Sequence, residues 1–134
     1  MKRQIACGLA ALPLLALPGV PAAFADSAGI TFSNGRTFTE QTGEQLFTHV
    51  CAACHLDQGQ GAVGAGHYPA LANNANLESA GYPILILLQG QKGMPPVGQM
   101  MSDDQIAAVV NYVRTHFGNN YQDAVTAEDV KASR

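Results

Sequence analysis

The sequence predicts an all-α fold for residues 42–118, and three observations carry that expectation. Thr42 and Ser102 each stand three residues before a glutamine, the pattern of a capping box at a helix start. Apolar residues recur at helical spacing after both. The remaining apolar block, "ILILL" at 84–88, has a composition that would suit a buried strand, but no second run exists to pair with it, so a helix is expected there too.

The elements follow in order. After Thr42 and its partner Gln45, the residues Leu46, Phe47 and Val50 fall on one face, which places Cys51 at the end of a short amphipathic helix. The glycine-rich run "QGQGAVGAG" at 58–66 is too flexible for regular structure unless something packs against it. A loop through "HYPALANNANLES" leads to "YPILILLQG", where Pro83 suits a first helical position and Gly90 a stop. The last main helix opens at Ser102, with Asp103 and Asp104 in a first turn where the helix dipole favours acids. Ile106, Val109, Val110 and Val113 form its apolar stripe, Arg114 and His116 suit its C-terminal end, and Gly118 is expected to stop it. The tail, 119–134, contains "VTAEDVKASR", compatible with one short capped helix.

Lys2 and Arg3, an apolar run from Ile5 to Leu17, and "PAAFA" at 21–25 read as a cleaved secretory signal over residues 1–25. The run is too short to span a bilayer and is broken by Pro13, Pro18 and Pro21, so no membrane anchor is expected in the mature protein. Residues 26–41 show no clear periodicity and read as an irregular N-terminal arm. Without the signal, 5 basic residues face 10 acidic ones, a balance that argues against nucleic acid as a partner. With no tryptophan, such a small chain has a thin core, which a buried cofactor would complete.

The chemistry concentrates in "VCAACHLDQGQG" at 50–61. A dithiol redox site normally opens a helix that follows a strand, and here no strand precedes the pair. A structural zinc site needs four ligands, and His49, His67 and His116 show no paired spacing to supply the rest. The remaining reading of Cys51, Cys54 and His55 is Cys-x-x-Cys-His, the attachment pattern of c-type haem. Two thiols a helical turn apart reach two vinyl groups on one porphyrin edge, and the following imidazole projects over the ring. For the iron's sixth position the candidates are Met94, Met100, Met101, His49, His67 and His116. Met94 is favoured because "KGMPPVG" sets it in a loop, where a methionine that merely fills the core is least expected.

The segments "TGEQLFTHVCAACHLDQGQG", "YPAL" and "GMPPVGQMMSDDQIAAVVNYVR", in that order over roughly residues 42–117, resemble a bacterial class I c-type cytochrome, the short monohaem type that serves periplasmic dehydrogenases and oxidases. The resemblance implies the class I cytochrome c fold, with three main helices and long loops wrapped around one covalently bound haem c. It implies that the first and last main helices cross at Gly43, Phe47 and Tyr112. Thioether links through Cys51 and Cys54, axial ligation by His55 and Met94, and a hydrogen bond from the His55 Nδ1 to the Pro69 carbonyl follow from the same likeness. So does a function: a one-electron carrier of the periplasm rather than an enzyme, reduced by a dehydrogenase and oxidised by an oxidase or another cytochrome.

Two departures from the family pattern are Val97, where an aromatic is common, and Met101, where a leucine is usual. Two other functions stay open. A cytochrome subunit bound tightly to a dehydrogenase would give the arm and tail a role. A haem sensor or enzyme with a labile Met94 would need a distal base or arginine, which "GMPPVG" does not offer.

Overall fold

A computed structural model describes residues 36–64 and 66–134. The expected signal, 1–25, and the arm as far as residue 35 lie outside the described residues. The regular structure of the described residues is helical apart from one small hairpin, with long loops between the elements, as expected from the sequence.

The first helix begins where its cap predicts. Thr42 Oγ1 accepts from the Gln45 amide at 3.2 Å, and Gln45 Oε1 accepts in return from the Thr42 amide at 3.4 Å. Helix α1 (Gly43–Leu46) runs into a π-helical turn (Phe47–Cys51) and then α2 (Ala52–His55) without a break. The wide turn closes through the Ala52 amide, which donates to the Phe47 carbonyl five residues back. Its effect is one of phase. Leu46, Phe47, Ala52 and His55 are all buried, and the five-residue step from Phe47 to Ala52 would leave one face of a regular α-helix. Cys51 consequently lies inside the helical run, a turn before its end, rather than at the end as periodicity suggested.

After α2 the glycine-rich run forms a two-residue ladder in place of an irregular loop. Strand β1 (Ala62–Val63) pairs antiparallel with β2 (His67–Tyr68), Ala62 opposite Tyr68. Helix α3 (Gly81–Gln89) starts two residues earlier than expected, so Pro83 occupies its third position. That position is still within the first turn, where a missing amide proton costs nothing. Gly90, at φ 72°, ends it as expected.

Helix α4 (Asp103–Thr115) carries the second capping box, with Ser102 Oγ accepting from the Gln105 amide at 3.2 Å. All four residues of its expected stripe are buried, and so are Gln105, Ala107 and Arg114. The burial is wider than a stripe because α4 packs against α1, α3 and α5 (Ala127–Ala132). At the α1 crossing the backbones meet: a Cβ on Gly43 would lie 2.2 Å from the Ala108 carbonyl oxygen. The Phe47 ring then packs 5.7 Å from Tyr112 and 4.5 Å from Phe117. The helix stops at Thr115, before Gly118; Phe117 (φ 57°) and Gly118 (φ 81°) instead turn the chain back in the left-handed region.

Arg114 stands in the last turn of α4, as expected, but it is fully buried there, and it binds two segments of chain to the helix. Its Nε donates to the Leu77 carbonyl at 2.8 Å and its Nη2 to the Glu78 carbonyl at 2.9 Å and Asp123 Oδ1 at 2.7 Å, while Nη1 donates to the Asp123 carbonyl. Asn111 reinforces the tail by exchanging two hydrogen bonds with the Val125 backbone, at 2.8 and 2.9 Å, and Val125 and Val130 close the core beneath it.

Removing the guanidinium strands buried carbonyls. Arg114→Met should therefore cost about 3 kcal/mol, read as a lower urea midpoint with an unchanged slope. Arg114→Lys should restore little, because one ammonium cannot reach the same set of acceptors. The hydrogen bond from Arg114 also holds the exposed Asp123 carboxyl below its ordinary range. A folded-state value lowered in this way contributes stability that is complete above the unfolded aspartate value and is lost as pH falls through the lowered one. Asp123→Asn should accordingly flatten the stability profile below about pH 4 and leave it little changed at neutrality, as followed by acid titration of the helical circular dichroism signal.

Candidate functional site

The wide turn and α2 present Cys51, Cys54 and His55 together. Cys51 and Cys54 are free, three residues apart and so on neighbouring positions of one helix face, the first half-buried and the second exposed. Burial, with Cys54 nearby, pushes the Cys51 thiol up to about 12. A dithiol oxidoreductase needs the opposite shift, since only a thiolate attacks, so the redox reading fails on electrostatics as well as on topology.

His55 turns inward and is 7% exposed. The chain then reverses sharply. Leu56 takes φ 63°, Gly59 φ 61° and Gly61 φ 66°, and the Gly61 amide returns to the His55 carbonyl at 2.9 Å. Gly61 is the position that lets the following strand approach. A Cβ there would sit 2.3 Å from the Tyr68 carbonyl oxygen and 2.7 Å from the Pro69 carbonyl carbon. That close approach places the Pro69 carbonyl oxygen 2.8 Å from His55 Nδ1. A carbonyl can only accept, so Nδ1 carries the proton and Nε2 keeps its lone pair for a metal.

Met94 occupies the other loop named by the sequence. Gln91 and Met94 exchange backbone hydrogen bonds at 2.9 and 3.0 Å, and Gly90 is closely packed against them, since a Cβ there would lie 2.6 Å from the Met94 carbonyl oxygen. The Met94 side chain is half-buried against the main core. The competing candidates have other surroundings. Met101 is 5% exposed within the core, and Met100 is half-buried beside it at the end of a 3-10 turn (Val97–Met100). His49 meets Glu40 at 3.1 Å, His116 stacks on Tyr112 at a 4.0 Å ring separation, and His67 is exposed on β2.

The donors fit a covalently held haem: two free thiols on one face, a buried imidazole with Nε2 available, and a thioether on a pinned loop. They do not fit a protein-only metal centre, because among the described residues no three His, Cys, Asp or Glu side chains gather. Sequence reasoning missed Gly61 and Leu56. Nothing marks Gly61 among its neighbouring glycines, and a leucine in the left-handed region has no sequence signal at all.

Residues 39–113 match the family model described as cytochrome C oxidase, cbb3-type, subunit III. The chain is 33% identical over 132 residues to the fructose dehydrogenase cytochrome subunit of Gluconobacter japonicus, covering 87% of this chain and 27% of that protein. It is 36% identical over 120 residues to cytochrome c-552 of Thermus thermophilus, covering 75% of this chain and 79% of the relative. Against cytochrome c6 of Diacronema lutheri it is 35% identical over 80 residues, covering 94% of that protein. The chain thus spans only a minor part of the dehydrogenase subunits but most of the small cytochromes.

Gly61→Ala is expected to cost about 1–3 kcal/mol through its positive φ and the clash with Tyr68, and to loosen His55 from Pro69. Gly64→Ala is the control, since a Cβ there meets nothing within 4 Å. Urea unfolding of the two variants should separate them, with Gly64→Ala close to the parent.

Proposed function

The chain belongs to the class I c-type cytochromes, which carry covalently bound haem c and transfer electrons rather than catalyse reactions; we propose that Cys51 and Cys54 form its thioether links, that His55 and Met94 are its axial ligands, and that Pro69 orients His55. The haem supplies the one-electron couple. The Pro69 carbonyl accepts a hydrogen bond from the Nδ1–H of His55, fixes the ring and makes Nε2 a stronger donor. The Met94 thioether, a weak donor, would hold the iron from the other side, raise its potential and exclude small ligands. With both ligands on backbone that is hydrogen-bonded or closely packed, little has to move when the electron arrives or leaves. The observation that carries this reading is the buried His55 with one ring nitrogen committed to Pro69.

The donor in this proposal is a dehydrogenase of the periplasm and the acceptor an oxidase or another cytochrome. The relatives named as dehydrogenase cytochrome subunits support the donor. The signal-like pattern of residues 1–25 supports the compartment, and no helix among the described residues is long and apolar enough to cross a membrane. A free carrier is favoured over a bound subunit by the tail, whose apolar residues Val125 and Val130 are spent on the chain's own core and not offered outward. From Gln58 to Ser102 the sequence has only two charged residues, Glu78 and Lys92. The surface beside the site, with Val63, Tyr68 and Leu56 exposed, therefore suits a small uncharged contact, below about 1,200 Å², while the acidic remainder steers the approach.

Met94→Ala should abolish the weak long-wavelength sulfur-to-iron absorption and lower the potential, whereas Met100→Ala and the volume-conserving Met101→Leu should keep both. Retention of the band in the Met94 variant would remove Met94 from the site. A purified dehydrogenase donor should reduce the protein more slowly as salt rises, and co-purification with a dehydrogenase at high salt would instead establish the bound subunit.

A further inference from the structure

The loop that follows Met94 has neither helix nor sheet to hold it beyond one 3-10 turn, so the donors that reach its carbonyls decide how firmly it stays. Three of those carbonyls are engaged by segments far away in sequence. The Phe38 amide of the N-terminal arm donates to the Met100 carbonyl at 3.1 Å. Arg134 Nη2, from the tail, donates to the Met101 carbonyl at 2.9 Å and to the Gly98 carbonyl at 3.3 Å. Arg134 is itself aimed by Asp103, whose Oδ1 accepts from its Nε at 2.6 Å. The arm is fixed in turn by Gln105, which donates to the Phe38 and Glu40 carbonyls at 2.9 and 2.7 Å. From below, Gly98 rests on α3, where a Cβ would lie 2.9 Å from the Leu87 carbonyl oxygen.

We infer that Arg134 is a positioning residue for the sixth ligand: its guanidinium clamps the Gly98–Met101 turn and, through the short Pro95–Val97 connection, sets how readily the Met94 side chain leaves its place. The inference rests on the proposed role of Met94. The planar fork matters, because one group must meet a carboxylate and two carbonyls at once, which a single ammonium does less well. Since the Arg134 side chain is partly exposed, at 37%, its effect on the whole fold is modest. Its effect on the loop is larger, because it engages two of the turn's carbonyls directly.

The test uses the haem-loaded, full-length protein. Arg134→Ala should bind carbon monoxide in the ferrous state about tenfold faster than the parent, equivalent to about 1.4 kcal/mol in the opening of the loop. It should lose the sulfur-to-iron band at a lower urea concentration than the helical signal, and the Met101 amide, which donates to the Gly98 carbonyl, should exchange faster. Arg134→Lys should recover part of each effect, and Asp103→Asn should show less than Arg134→Ala because the carbonyl contacts remain. A tail clamp without influence on the ligand would shift the thermal midpoint alone, so unchanged carbon monoxide kinetics and an unchanged band in Arg134→Ala overturn the inference. Persistence of the band in Met94→Ala overturns the ligand assignment on which it rests, a separate result visible without any Arg134 variant.

Discussion

The contact on which most of this structure depends is the meeting of α1 and α4 at Gly43. With no side chain at that point, the two helices approach until Gly43 faces the Ala108 carbonyl directly, and any Cβ would force them apart. The approach fixes the depth of Phe47 against Tyr112 and Phe117. From Phe47 the wide turn carries the chain round so that Ala52 and His55 point to the same interior. The two thiols are left on the helix at the boundary of that interior. Helix packing thus sets the orientation of the site, although the crossing point itself lies outside it.

A chain with few regular elements must satisfy its buried backbone by other means. Here four buried polar side chains serve long loops. Arg114 and Asn119 hold the segment around Leu71–Glu78, Gln105 holds the arm, and His55 takes the Pro69 carbonyl. Asn119 alone joins the Leu71 and Val113 carbonyls and the Asn74 amide, at 2.8, 2.7 and 2.9 Å. Among the described residues no buried side-chain polar atom lacks a partner. The functional consequence is rigidity where the sheet and helix content alone would not supply it. An electron carrier benefits from that, since geometry held in place before the transfer does not have to be rearranged during it.

The local signals were legible. Both capping boxes are decided by residues three apart, so Thr42 with Gln45 and Ser102 with Gln105 could be read directly. Gly90 ends α3 for an equally local reason. Helix limits that depend on neighbours were read less well. Pro83 lies inside the first turn because α3 gains two residues ahead of it, and α4 stops at Thr115 because the chain must turn toward Asn73, whose amide donates to the Phe117 carbonyl at 3.0 Å.

The sequence by itself pointed to the family: Cys51, Cys54 and His55 stand together in the attachment pattern of c-type haem, which is read from spacing alone. It also determined the caps and the apolar stripe of α4, for which every interaction lies within a few residues. Tertiary structure alone decided that Arg114 is an internal tie rather than a surface cation, that Gly61 among several glycines is the one that admits Pro69 to His55, and that Phe38 and Arg134 meet on the turn behind Met94. Each of these joins groups well separated along the chain. A residue type states which bonds it can make, and only the packed chain states which partners come within reach.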